Sequence, residues 1–258
     1  MWSVCDRTPL RALKIEKIEI MRLTTLLYSA ALVSVAIVPA CGSKADDRGE
    51  KAKAAYAASL EDSIRAVQRE IDSCNSQIEI LRQDVSGLMS NFTTVANPRE
   101  VGSYMILTEW KNKYPLTQTG VVARIDNNNR FELIAANAKP FDRITVKSPT
   151  SGVSSALVPN DQALNYRTAT LTTVMFAGDE ADAIGQLVAD NALNPLSVIF
   201  EYGSPVNTWK MPLETSKMIS LTYALYRNTR DMQRLERRVP MLHEKINLLR
   251  QHKDKDSK

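Results

Sequence analysis

A helix whose apolar residues return every 3.5 residues cannot bury them against itself, and this chain of 258 residues carries two such stretches. In the first, Leu60, Ile64, Val67, Ile71, Cys74, Ile78, Leu81, Val85, Leu88, Phe92 and Val95 are spaced by alternating gaps of four and three. The positions between them are mostly polar or charged, as a solvated outer face requires. A helix over Leu60–Val95 rises about 54 Å. The second seam runs through Met218, Leu221, Leu225, Asn228, Met232, Leu235, Val239, Leu242, Ile246 and Leu249. Asn228 stands where a hydrophobe would, a device that sets register at a cost in stability. Pro240 lies inside this helix and predicts a kink or a broken hydrogen bond, at about 3 kcal/mol if unrelieved.

Two seams of nearly equal length bracket a segment of different period, which suggests an antiparallel hairpin of helices that buries both seams within one chain. The fold class expected is therefore α+β, with a β-rich globular head inserted between two long heptad helices forming an antiparallel coiled-coil stalk. The first seam also favours parallel dimers, with Ile64, Ile71, Ile78 and Val85 at one core position and leucines among the other. A homo-oligomer through the coiled coil stays open beside the hairpin.

Charge narrows the partners. Residues 1–41 carry five basic and three acidic side chains, and the rest is nearly balanced. There is no concentrated basic stripe for a phosphate backbone, so nucleic acid is not an expected partner. The three cysteines, Cys5, Cys41 and Cys74, match neither a zinc knuckle nor a Cys-x-x-Cys redox pair. Cys74 lies on the first seam and reads as a small buried hydrophobe. A symmetric disulfide across a parallel dimer is the alternative in an oxidising compartment.

The first 40 residues read as a signal peptide. From Met21 the text becomes MRLTTLLYSAALVSVAIVPAC, with Arg22, an apolar stretch over Leu26–Val38 and small residues before Cys41. The stretch is too short and too dotted with Ser and Thr for a comfortable membrane span. Met21 reads as the true start, and a long leading segment from Met1 would leave the same mature chain.

Val38-Pro39-Ala40-Cys41 resembles the lipobox of bacterial lipoproteins. The resemblance implies that Cys41 carries diacylglycerol and becomes the first mature residue. Acyl chains contribute about 0.8 kcal/mol per buried methylene, so two or three anchor stably. It implies export and anchoring in the bacterial outer membrane, periplasmic or surface-facing, with the membrane itself as one partner. Gly42 and Ser43 follow, with no adjacent aspartate of the kind that retains some lipoproteins in the inner membrane.

Taken in order, residues 41–56 read as the lipidated cysteine and a flexible tether, 57–97 as the first helix, 98–211 as the head, 212–252 as the second helix and 253–258 as a charged tail. Strands are expected at Ser103–Thr108, Gly120–Ile125, Arg130–Ala135, Arg143–Lys147, Val153–Val158, Thr168–Phe176 and Leu196–Tyr202. Asp126–Asn129 reads as a hairpin turn, because Asn and Asp tolerate left-handed backbone. The same residues lack the acidic ligands a calcium loop needs. Gly178-Asp179-Glu180 opens a short helix with Asp179 as its cap.

No phosphate loop, Gly-x-Ser-x-Gly elbow or His-Glu-x-x-His is present, and the two histidines, His243 and His252, lie in the second helix. No metal, cofactor or catalytic residue is therefore expected. A carboxylate pair for glycan hydrolysis could be drawn only from Glu109, Asp126, Glu132, Asp142, Asp161 and Glu201. Trp110, Tyr114, Tyr166 and Trp209 are the candidate binding surface, suited to an envelope protein or a glycan if exposed. The bland alternative is that the tryptophans plug the junction of head and stalk. Tyr223 and Tyr226 are expected where the head leans on the second helix.

The layout, together with SYMILTEWKNKYPL, resembles uncharacterised coiled-coil plus β-head lipoproteins of Gram-negative gut bacteria. The resemblance implies location and shape alone. The expected function is a non-catalytic binding or scaffold head presented on a stalk, with a structural envelope spacer as the alternative and a carboxylate-dependent glycan hydrolase behind it.

Overall fold

Every seam position from Leu60 to Leu88 is buried or half-buried, and the residues between them are exposed, with Glu70 the one half-buried exception. The computed structural model describes residues 45–96, 102–159 and 165–256. Cys5, Cys41, the signal peptide and Asp161 lie outside the described residues. From Asp46 onward the chain forms one compact unit.

The helix α1 (Ala45–Met89) starts twelve residues before the expected position 57, inside the segment expected as a tether. Its first turns, ADDRGEKAKAAYAAS, are rich in alanine and straight-chain residues, which lose little on entering a helix. It also stops earlier than the heptad count implies. Gly87 weakens the last turn, and Phe92-Thr93-Thr94-Val95 suits a pleated backbone better. Those residues become β1 (Phe92–Ala96).

The head follows with β2 (Ser103–Leu107), a 3-10 helix (Thr108–Lys113), β3 (Gly120–Asp126), β4 (Phe131–Asn137), β5 (Arg143–Lys147), β6 (Gly152–Ser154), β7 (Asn165–Arg167), β8 (Thr172–Ala177), α2 (Asp179–Asp190), β9 (Leu196–Tyr202), β10 (Ser204–Met211) and α3 (Leu213–Asp256). These strands form two antiparallel sheets, ordered β1-β2-β3-β4-β8-β7 and β10-β9-β5-β6. The β3–β4 hairpin turns where expected, with Asn129 at φ +56°. Asp126 accepts the backbone N–H groups of Asn128 and Arg130 and the Arg130 side chain there, so its oxygens are spent on the turn. The edge strand β10 was unforeseen: it carries Pro205, which central strands exclude, and the register shifts between Pro205 and Asn207.

Alternation sorts the β4 side chains onto two buried faces. On one, Phe131 meets Tyr223 at 5.3 Å between ring centroids and Tyr226 at 5.8 Å, so the head does lean on α3 through those tyrosines. A Cβ at Gly185 of α2 would fall 2.5 Å from Tyr223 and 2.9 Å from Phe131, which is why the residue there has none. On the other face, Arg124 is fully buried and its Nε donates to Glu132 Oε2 at 2.7 Å. The Tyr104 ring covers the guanidinium at 3.5 Å, and Tyr114 hydrogen-bonds it. Burial pushes the Glu132 carboxyl above the usual carboxylate range, against the pull of Arg124.

The second seam is buried or half-buried at Met218, Leu225 and Asn228 and from Met232 on, and it breaks at Leu221. Leu221 is exposed, whereas Ile219, Thr222, Tyr223 and Tyr226 are buried off the seam. The first turns of α3 turn a wider face to α2 and the six-stranded sheet, so the 3.5-residue period does not govern them. Asn228 is half-buried at the changeover. Pro240 neither breaks α3 nor ends it. Its missing N–H orphans the Glu236 carbonyl on the exposed side, where water can bind it. The helix runs on to Asp256, through most of the expected tail. Beyond the head, Val67, Ile71 and Cys74 of α1 form a second apolar cluster with Leu242 and Ile246 of α3. Glu70 pairs with Arg238 and Glu61 with Lys253 across the same two helices.

Candidate functional site

The four aromatic residues expected to form one surface are separated by the fold. Trp110 and Tyr114 are buried, Trp110 under Lys113 and Tyr114 on Arg124. Trp209 is half-buried and packs within 3.8 Å of where a Gly120 side chain would begin. Tyr166 lines a cleft. Trp110 and Tyr114 are therefore core residues, and Tyr114 closes the sheet face that carries Arg124.

The cleft with Tyr166 on its wall has a volume of about 560 Å³. That lies within the range of small-molecule sites, about 300–1,000 Å³. It opens where the link from β4 to β5 passes between the β7–β8 edge of one sheet and the β9–β10 turn of the other. Lys139 and Asp142 come from the link, Tyr166 and Arg167 from β7, Thr172 from β8 and Tyr202 from the end of β9. Phe141 turns inward instead and packs edge-on against Phe200 at 5.0 Å, which fixes the floor.

The backbone around the cleft is held tightly. The Asn137 side-chain amide donates to the Lys139 carbonyl at 3.0 Å, and Asn207 donates to Asn137 Oδ1 at 2.7 Å. The Asp142 N–H donates to the Glu201 carbonyl at 3.0 Å, and the Asp142 carbonyl accepts from Val158 N–H at 2.9 Å. Thr172 is paired with Asn137 on one side and Arg167 on the other.

Against that order, two side-chain atoms are left over. Asp142 Oδ1 and Thr172 Oγ1 are both shut off from solvent and have no hydrogen-bond partner; among the described residues they are the only buried side-chain polar atoms in that state. Each such group costs about 1–3 kcal/mol. Native structures carry few of them, and each asks for a cause. Here both belong to residues lining one cleft.

The remaining acids are committed elsewhere. Arg143 Nη2 donates to Glu201 Oε2 at 2.6 Å and the Thr145 hydroxyl to Oε1 at 2.5 Å. The Thr145 hydroxyl first, against partial burial, and then the Arg143 guanidinium hold the Glu201 carboxyl below the ordinary range. Glu132 is tied to Arg124 and Asp126 to Arg130, while Glu109 is exposed on the 3-10 helix. Among the described residues no second carboxylate lines the cleft with Asp142. In the acidic trio of α2, Asp179 is not the cap, since Gly178 holds that position at φ +91°. Asp182 instead accepts from the Tyr226 hydroxyl at 2.8 Å and from Arg230 at 2.9 Å. Burial, then that bond, pushes the Tyr226 hydroxyl up to about 12, so it stays a donor.

Sequence reading reached Tyr166 and included Asp142 among six acids. It had no means of bringing them together with Thr172, Lys139 and Arg167, which approach only through pairing across β4, β8 and β7. No protein-family model, no curated protein and no solved structure matches this chain.

Proposed function

We propose that the chain is a non-catalytic, membrane-anchored envelope lipoprotein that presents a β-rich binding head on an antiparallel coiled-coil stalk. The observation that carries the binding role is the cleft of the head, of small-molecule size and walled by Asp142, Tyr166, Arg167 and Tyr202 on a tightly hydrogen-bonded frame. The anchor is the diacylglycerol of Cys41, and the membrane is the first partner. The second is a glycan or an envelope protein taken up by the head.

The stalk reading is supported by the apolar cluster that α1 and α3 share and by the pairs Glu61–Lys253 and Glu70–Arg238, whose numbers fall on one helix as they rise on the other. An antiparallel stalk returns both ends of the chain to the membrane and holds the head roughly 50 Å away. Spin labels at Glu61 and Arg250 of one molecule should then lie close together. A separation on the order of the stalk length would overturn the hairpin and favour a parallel oligomer.

Placement in the envelope is tested by protease shaving of intact cells, following a tag after Lys258 with lysed cells as control. Loss of the tag from intact cells indicates surface display, and protection until lysis indicates the periplasm. Partition of the protein into the aqueous phase after detergent extraction, with no change on Cys41→Ser, would reject the anchor.

A further inference from the structure

Two cations at the cleft have no carboxylate partner. Lys139 and Arg167 are both exposed on its wall, and among the described residues neither enters an ion pair or a side-chain hydrogen bond. Arg124, Arg130, Arg143 and Arg230, by contrast, are each paired with an acid. Strand pairing brings the two together. Asn137, Thr172 and Arg167 stand opposite one another across β4, β8 and β7, on one face and about 10 Å from end to end. Lys139 follows two residues after Asn137, whose amide holds the Lys139 carbonyl at 3.0 Å. Two long side chains rooted at opposite ends of that row can close on one bound group.

Asp142 is the one acid among the lining residues, and its Oδ1 is closed to any ligand. Two cations against one carboxylate leave a single positive charge, which suits one anionic group and disfavours a polyanion. Beside them Tyr202 is 62% exposed, and Pro140 and Val206 line the same cleft, so the ligand needs an apolar side as well as its anion. A sugar ring bearing one acidic group has both. Its C–H face packs on an aromatic ring, and its acidic oxygens accept from guanidinium and ammonium. An acidic peptide would also bring the anion, but its backbone needs a strand edge to pair with, and β7, the edge at the cleft, is three residues long.

We infer that the cleft binds a sugar unit carrying one anionic group, a carboxylate or a phosphate, with Arg167 and Lys139 donating to its oxygens and Tyr202 packed on the ring. This rests on the reading of the head as a binding module and names its ligand class. The Arg167 guanidinium can fork onto two oxygens of such a group, while Lys139 adds a point charge. All three side chains are exposed, so the ligand reaches them without any opening of the head. The same exposure lets salt screen the attraction, so affinity falls as ionic strength rises.

The test uses the full chain in detergent, titrated by calorimetry and saturation-transfer NMR with methyl glucuronide, methyl galacturonide and glucosyl phosphate, against methyl glucoside and methyl galactoside as neutral controls. Saturable binding is expected for at least one acidic sugar, tenfold or more tighter than for its neutral counterpart and weaker as salt is raised. Binding of a uronide assigns the anion to a carboxylate, and binding of the phosphate alone assigns it to a phosphate ester; either supports the proposal. Arg167→Gln, Lys139→Gln and Tyr202→Ala should each weaken binding fivefold or more with Tm held, since all three side chains are exposed. No preference for the acidic over the neutral sugar, or full affinity in Arg167→Gln, overturns the proposal. A second panel of short acidic peptides separates the two levels of the argument. Peptide binding lost in Arg167→Gln, with no sugar bound, overturns the sugar and leaves the binding head standing. Silence from both panels at millimolar ligand overturns both.

Discussion

The side-chain amide of Asn207 on β10 donates to Asn137 Oδ1 at the end of β4 at 2.7 Å, so one buried amide ties the two sheets together beside the cleft. Asn137 is fully buried, and its own amide spans to the Lys139 carbonyl. Replacing Asn137 by Ala removes both links and leaves the Asn207 amide and the Lys139 carbonyl to find new partners. The expected loss is about 2–3 kcal/mol in urea denaturation, against about 1 kcal/mol for Asn207→Ala.

The pair formed by Arg124 and Glu132 should behave as buried ion pairs do. Glu132→Leu alone strands a guanidinium in the core and is expected to cost about 3–5 kcal/mol. Arg124→Met combined with Glu132→Leu should recover most of that loss, since both groups are replaced by apolar volume. Equilibrium unfolding of the two single variants and the double variant measures the coupling directly. Additive losses would mean the two charges do not depend on each other.

Glu201 provides a pH dependence. Its carboxyl is held below the ordinary value of about 4.3 in the folded chain, by Thr145 first and then by Arg143. A lowered folded value stabilises above the unfolded one, and that contribution is lost as pH falls through the folded value. The wild type should therefore lose stability below about pH 4.3 more steeply than Glu201→Gln. Parallel acid limbs in thermal scans of the two proteins would remove Glu201 from the account.

Gly185 is a glycine for lack of room. A methyl group there would fall 2.5 Å from Tyr223 and 2.9 Å from Phe131. Helix propensity alone makes Gly185→Ala stabilising by about 1 kcal/mol. The clash reverses the sign, with an expected net loss of about 1–3 kcal/mol from displaced rings. Near-ultraviolet circular dichroism should report the shift of the tyrosines.

Periodicity made much of the scaffold legible in the sequence. Heptads identify which side of α1 is buried from Leu60 to Leu88, and period two with turn chemistry identifies the β3–β4 hairpin, β5 and β9, because those signals are local and repeat. They fail where one pattern extends into another element. Phe92 and Val95 continue the helical count but lie in β1, where pairing with β2 decides the backbone. Leu221 keeps the heptad and is exposed, because α2 and the sheet claim a different face of α3.

The site was less legible for a related reason. Aromatic residues announce apolar area but not where it is spent, and Trp110 and Tyr114 spend theirs inside the head. Asp142 in sequence is one carboxylate among six. What sets it apart is that Glu132 and Glu201 each meet an arginine on a neighbouring strand and Asp126 meets Arg130 across the hairpin turn, while one oxygen of Asp142 meets nothing. The chain alone determined where helices and strands can form, since that depends on residues a few positions apart. Which polar atoms find partners was decided by the tertiary structure, since a hydrogen bond forms between groups within about 3 Å whatever their separation in sequence.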